Sequence, residues 1–469
     1  MRANVIQEDP TFVQATSSKS AFMGVSACET RRNALDSRVI GRANRSDLAP
    51  GLEAIATRLS SDEQTRLAAL LTFCEPLPQD CSRLQTLSLR EWLKLLRWLD
   101  VSGLALCFYD RISEAGRMEL LPTPIAAGLE LRLEENTLRT QSMLAESIAI
   151  QRDFQNAGLS YAILKGLSFW PNSVSRPELR SQFDLDYLVA ENDVPEARRI
   201  LASRGYRLYA SNGRSWEFKR NEKPGVTLKD LYKDTGSFRV ELHTQPTGAG
   251  LVSPLETLEW RDFSGFAMPV LSPVDLLLGQ GMHAFKHICS EYVRASHLLE
   301  FRRHVLFLRN EQAFWAELRE RAHRYPRAAM GLGNVTFLIT QVMGEFAPES
   351  LTSWTADQLP APVKLWVTTY GDRAVLGNVS GSKLYLLLNR ELDQPVRSTR
   401  RPIWRSLFPP CLPPSVIRAF PNDSLSVRLG RYRMQIGLIC SRARFHFIEG
   451  LRLAHEAYRW RRLLHHGAR

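Results

Sequence analysis

Arg180-Ser-Gln-Phe-Asp184-Leu-Asp186-Tyr-Leu-Val189 is the stretch on which the fold turns. Acidic and apolar residues alternate from Asp184, and the segment then runs apolar to Ala190. A period of two belongs to a strand, so both carboxylates are expected on one face of a sheet. Upstream, Leu159-Ser-Tyr-Ala-Ile-Leu-Lys-Gly166 is short and β-rich, and it reads as a strand and turn. Downstream, Asp193 to Arg204 reads as a helix capped by Asp193 and closed before Gly205. Tyr206 to Ala210, Ser215 to Arg220 and Phe238 to His243 read as further strands.

Helical periodicity surrounds this core. Leu87 to Leu99 repeats apolar residues at three- and four-residue spacing, and a longer pattern runs from Ile125 to a stop at Asn156-Ala157-Gly158. After Ser272-Pro273 helical spacing resumes to about Gly344. The expected architecture is α+β: a mixed sheet core flanked by N- and C-terminal helical segments. Residues 1–50 are polar and aperiodic and are expected to be disordered. The expected divisions are then a helical region at 51–158, the α/β core at 159–270, a helical region at 271–395, and a Pro-interrupted, Arg-rich region at 396–469. Pro402 to Pro421 excludes a continuous helix, whereas Arg442 to His466 reads as a basic helix with Phe445, Ile448, Leu451, Leu453 and Trp460 as its apolar surface.

The 469 residues carry a net charge of +12, with 44% hydrophobic and 23% charged residues, which are ordinary globular proportions. From Glu391 to Arg469 there are 15 arginines against 5 acids, so that stretch alone accounts for +10. It can meet an anionic partner such as RNA or lipid headgroups, or it can be a solvated helical face. The seven cysteines form no C-x-x-C pair, which argues against a zinc module or a disulfide framework and fits a reducing cytoplasm. No secretory signal or membrane-spanning run is evident.

Three pieces within about eighty residues suit phosphoryl-group transfer: Leu164-Lys165-Gly166-Leu167-Ser168, then Arg180 to Val189, then Val240-Glu241-Leu242-His243. A nucleoside triphosphate (NTP) is polyanionic, and divalent metals neutralise it and align in-line attack. Mg²⁺ (or Mn²⁺) prefers oxygen ligands. Asp184 and Asp186 stand about 7 Å apart along one strand face, which lets them serve two ions roughly 4 Å apart. Glu241 is the candidate third carboxylate. Gly166 permits close backbone approach, and Lys165, Ser168 and Arg180 are donors for phosphate. By strand alternation His243 shares the Glu241 face and can orient it.

This ordered set resembles the DNA polymerase β-like nucleotidyltransferase superfamily. It is closer to a poorly characterised bacterial nucleotidyltransferase family with Leu-Lys-Gly, Arg-x-x-x-Asp-x-Asp-x-Leu-Val and an apolar-Glu-Leu-His segment. The resemblance extends to Ala202–Tyr206 and to the helix carrying His283, Lys286 and His287, covering about Leu159 to Val305. It implies transfer of a nucleoside monophosphate from NTP to an acceptor, which the sequence leaves open among a sugar phosphate, an RNA end, a protein hydroxyl and a small molecule. Asp184, Asp186 and Glu241 would serve as catalytic, metal-holding carboxylates, and Lys165, Gly166, Ser168, Arg180, His243, His283, Lys286 and His287 would line the nucleotide site. His283 and His287, four apart on a helix face, have no third ligand evident in the sequence, so zinc is not expected there. Two departures stand out. Gly166 is followed by Leu167 where the superfamily has Gly or Ser, and Glu241 is followed by Leu-His. Two rival readings remain: a catalytically inactive nucleotide-binding or interaction protein, and a basic RNA- or membrane-surface adaptor.

Overall fold

Alternation at Asp184–Val189 produces the central strand of a seven-stranded mixed sheet in the computed structural model, which describes residues 59–75, 79–220, 228–236, 238–245, 253–263, 265–377, 381–392 and 424–467. The strands are β1 (Tyr161–Leu164), β2 (Asp184–Val189), β3 (Arg207–Asn212), β4 (Ser215–Lys219), β5 (Arg239–His243), β6 (Leu258–Phe263) and β7 (Phe266–Leu271). Their order is β3-β4-β5-β2-β1-β7-β6. β2 runs antiparallel to β1 and parallel to β5, and β1 runs parallel to β7. The β6–β7 hairpin lies inside the expected core but was not read as strands. It closes at Gly265 with φ +80, a left-handed turn that glycine adopts without a Cβ penalty.

Helices α1 (Ser61–Leu71), α2 (Leu89–Ser102), α3 (Ala105–Glu114) and α4 (Thr123–Asn156) precede the sheet, and α5 (Val194–Ser203) lies within it. There follow α6 (Pro273–Ile288), α7 (Ala295–Phe307), α8 (Gln312–His323), α9 (Ala328–Met343), α10 (Glu349–Thr352), α11 (Ala361–Leu376), α12 (Tyr385–Leu392) and α13 (Leu425–Gly467). Capping chemistry sets several starts. Ser60 with Glu63 and Ser88 with Glu91 form complete capping boxes. α4 ends where Asn156-Ala157-Gly158 was read as a stop, with Gly158 at φ +69. Asp193 differs from expectation: its side chain makes no cap bond, because its carboxylate accepts the Ser160 N–H at 2.8 Å and ties α5 to the start of β1.

The two faces of the sheet have different partners. Tyr161, Ile163, Leu185, Tyr187, Val240 and Leu242 enter one core with Met143, Ile150 and Phe154 of α4 and with Ala197, Ile200 and Leu201 of α5. Ala162 and Leu188, on the opposite face, join a larger core built by helices from both ends of the chain, including Leu70, Trp98, Leu277, Phe301, Trp366 and Trp460. Burial on that scale stabilises by about 1.5–3 kcal/mol per large side chain, so the helical flanks are held together by a core they share.

α13 starts seventeen residues before the expected basic helix. Phe445, Leu453 and Trp460 are buried, but Ile448 and Leu451 are exposed. Part of its arginine is spent on internal pairs: Arg442 with Glu291 (2.9 Å), Arg452 with Glu449 (2.7 Å) and Arg459 with Glu456 (3.0 Å). No helix among the described residues is long and apolar enough to cross a membrane. The expectations for residues 1–50 and for Pro402 to Pro421 lie outside the described residues.

Candidate active site

β2 and β5 run parallel with Asp184 opposite Arg239, Asp186 opposite Glu241 and Leu188 opposite His243. Strand alternation sends Leu185 and Tyr187 into the core with α4, so Asp184, Asp186, Glu241 and His243 share the face toward α6 and α7. Asp186 is buried, and its Oδ1 accepts from Lys165 Nζ at 2.7 Å and lies 3.0 Å from His243 Nε2. That nitrogen is also 3.4 Å from Glu241 Oε2. One oxygen or nitrogen each of Asp186, Glu241 and His243 fall within 4.8 Å of one another. This set differs from the expected trio: His243 stands within it and Asp184 stands beside it.

Charge distribution follows from burial and neighbours. Burial drives the Asp184 carboxyl up, Asp186's charge adds to this, and its pKa reaches about 6. Burial works the same way on Asp186, but the Lys165 ammonium and His243 outweigh it and hold that carboxyl well below the usual range. Burial opposes a charge on His243, yet bonds to Asp186 and Glu241 prevail and lift it to about 9. Lys165 likewise rises despite burial, because Asp186 and Asp184 face it. The site is therefore a set of carboxylates whose negative charge is countered by the Lys165 ammonium and the His243 imidazolium, with Arg239 also acting on Asp184.

The turn after β1 presents Lys165 under strain. Lys165 has φ +52, an unusual value for a residue with a Cβ, and Gly166 follows at φ +45. A Cβ on Gly166 would lie 2.1 Å from Gln182 Nε2, which donates to the Asp184 carbonyl at 2.7 Å. Ser168 is fully buried, and its hydroxyl donates to the Lys165 carbonyl at 2.8 Å, so it braces the turn. Arg261 of β6 donates to the carbonyls of Ser168 and Trp170 at 3.0 and 2.8 Å. This brace, supplied by the hairpin, had no local signal in the sequence. Arg180 is anchored through Nε to Glu300 of α7 at 2.9 Å and stacks over Phe169.

His283 and His287 on α6 face a third histidine, His297 at the start of α7, with ring centroids 4.6–4.8 Å apart. Lys286 is exposed on another side of α6. Burial, then the His287 ring and neighbouring cations push His283 down to about 2; burial, then Arg294 and Lys286 push His287 to about 4; burial, then the two other rings and Arg294 hold His297 well below its ordinary value. Lys165 acts electrostatically on both His283 and Asp186. His297 and Glu300 were not singled out from sequence. Each comes to its partners only through the packing of α7 on α6.

A family model described as "Uncharacterised nucleotidyltransferase" matches residues 88–344. Among solved structures, an antigenic nucleotidyltransferase-like protein from Paracoccidioides brasiliensis is similar at 14% identity and a TM-score of 0.26, covering 44% of this chain and 94% of its own. No curated protein matches.

Proposed function

Because the chain belongs to this uncharacterised nucleotidyltransferase family, we propose that it transfers a nucleoside monophosphate from NTP to a hydroxyl or phosphate acceptor, with pyrophosphate leaving. The observation that carries this reading is the convergence of Asp186 and Glu241 across the β2–β5 pair, with Asp184 on the same face and a lysine at the mouth. The donor set fits a hard divalent cation. Two carboxylates converge within ligand range, a third adjoins them, and the Lys165 ammonium already stands in for a cation on Asp186 Oδ1. When bound there, Mg²⁺ or Mn²⁺ would neutralise the triphosphate and orient in-line attack.

The chain's own groups have separable tasks. Asp184, Asp186 and Glu241 would hold the cation. Lys165, once released from Asp186, reaches for phosphate oxygens. Gly166 lets Gln182 pack against the turn where a Cβ would clash, and Arg180 keeps guanidinium N–H groups available while Glu300 fixes its orientation. His243, protonated in this arrangement, positions Asp186 and Glu241. Glu241, the less buried of these two acids, accepts the proton of the acceptor hydroxyl.

The test is Mg²⁺- or Mn²⁺-dependent incorporation of α-labelled NTP with candidate acceptors. Asp184→Asn and Asp186→Asn are expected to lose at least about 100-fold in rate. Turnover matching the wild type would refute the assignment. The Lys165–Asp186 bond also suits a nucleotide-binding protein without catalysis, which would bind NTP and release no pyrophosphate. Exposed Arg444, Arg461 and Arg462 leave room for an anionic partner at α13. If residues after Arg442 can be deleted without loss of RNA or anionic-vesicle binding, that role is excluded.

A further inference from the structure

The geometry points to a second, independent site: His283, His287 and His297 form a three-histidine centre for a divalent transition-metal ion of the zinc class. The site does not depend on the carboxylate reading above. His283 and His287 lie four residues apart on α6, and one turn of helix stacks them on a single face. His297, in the first turn of α7, closes the third side. A ligand nitrogen from each falls within 4.8 Å of the other two. Around a tetrahedral ion at about 2.0–2.1 Å, such nitrogens lie roughly 3.4 Å apart, a closure that ring rotation supplies.

A second observation comes from what His297 lacks. Its side chain is buried, at 6% exposure, and its Nδ1 has no hydrogen-bond partner. A buried polar atom left unpaired is destabilising, and a ligand in the pocket gives the ring a bond that fixes its tautomer and orientation. Glu300 lies three residues on along the same helix. One of its oxygens takes Arg180, while Oε2 is buried without a partner. That carboxylate offsets the cationic charge of Arg180 and Arg294 beside the rings.

The donor chemistry sets the ion. Three imidazoles select Zn²⁺, Co²⁺ or Ni²⁺ over Mg²⁺, which wants oxygen. Burial and the cations Arg294, Arg180, Lys286 and Lys165 keep the rings neutral, the form that ligates. Three protein ligands leave a fourth position for water or a phosphate oxygen.

Co²⁺ titration of the full-length, chelator-treated protein tests this, read by visible ligand-field bands and by bound metal after desalting. About one tightly bound Co²⁺, retained in Asp184→Asn/Asp186→Asn, is expected. Because loss of a supporting residue alone costs 10–100-fold in affinity, loss of a ligand in His283→Ala should weaken binding by more than about 100-fold. His297→Ala should do the same, and half-buried His283→Ala keeps the test open if the core variant does not fold. Absence of Co²⁺ binding by the wild type overturns the site. So does unchanged binding in His283→Ala and His287→Ala, or binding that is lost with the carboxylates and not with the histidines. NTP incorporation with Mg²⁺ is followed in parallel, so the carboxylate site and this one fail separately.

Discussion

Replacing Lys165 by methionine separates the part of the site that holds Asp186 from the part that would use it. Lys165 Nζ sits 2.7 Å from Asp186 Oδ1, on a carboxylate whose side chain is 2% exposed. Removing one partner of a buried ion pair costs about 3–5 kcal/mol. Two features place Lys165→Met at or below that range. The lysine side chain is 32% exposed, and His243 remains 3.0 Å from the same oxygen. A loss of about 2–3 kcal/mol is expected in chelator. At about 2 °C per kcal/mol for a cooperative unit of roughly 250 residues, this is a fall of about 4–6 °C in Tm. A cation on Asp186 should then replace the missing ammonium, so Mg²⁺ should raise the variant's Tm by more than it raises the wild type's, where it competes with Lys165. NTP incorporation should still fall, because the phosphate donor is gone. Differential scanning calorimetry with EDTA and with Mg²⁺ checks both arms. A variant as stable as the wild type in EDTA, with no larger gain from Mg²⁺, would refute the view that Lys165 stands in for a cation.

Arg321→Met should destabilise by about 3–5 kcal/mol, because Arg321 Nη1 meets both Asp275 oxygens at 2.8 Å with both side chains under 10% exposed; chemical denaturation reads this, and a loss below 1 kcal/mol would contradict it. Asp275 also closes the N-cap of α6 with Ser272, so the variant should loosen the helix that carries His283 and His287. His304 is fully buried, bonded through Nδ1 to Gln280 and pushed down by burial to about 3. The unfolded chain takes up its proton near pH 6.5 and the folded one does not, so stability falls as pH drops from about 6.5 toward 3. The contribution is about 1.4 kcal/mol per pH unit in mid-window. His304→Gln should flatten that limb by one proton in a pH series of unfolding curves. Gly166→Ala should cost about 1–2 kcal/mol from its positive φ and displace Gln182 from the Asp184 carbonyl, lowering NTP incorporation more than Tm.

Local chemistry in the sequence went a long way toward the fold and the carboxylates. Alternation at Asp184–Val189, the Leu-Lys-Gly turn and the β5 segment Val240–His243 each carry their signal within a few residues. A strand's period of two also dictates that Asp184 and Asp186 share a face, whatever lies around them. The same locality made the α4 stop at Asn156-Ala157-Gly158 readable.

Pairing and packing decided the rest, because they join residues that no window of sequence contains. The parallel registration of β2 with β5 brings His243 onto Asp186 and leaves Asp184 at the side. Folding of the β6–β7 hairpin onto β1 sends Arg261 to brace the Lys165–Ser168 turn, and burial turned Ser168 from an expected phosphate donor into part of that brace. His297 follows His287 by ten residues and a change of helix, so only the packing of α6 on α7 makes three rings meet. Alternation and capping are properties of neighbours in the chain. The state of Asp186, the anchor on Arg180 and the third histidine depend on neighbours in space, whose distances the chain sets only once the core has closed.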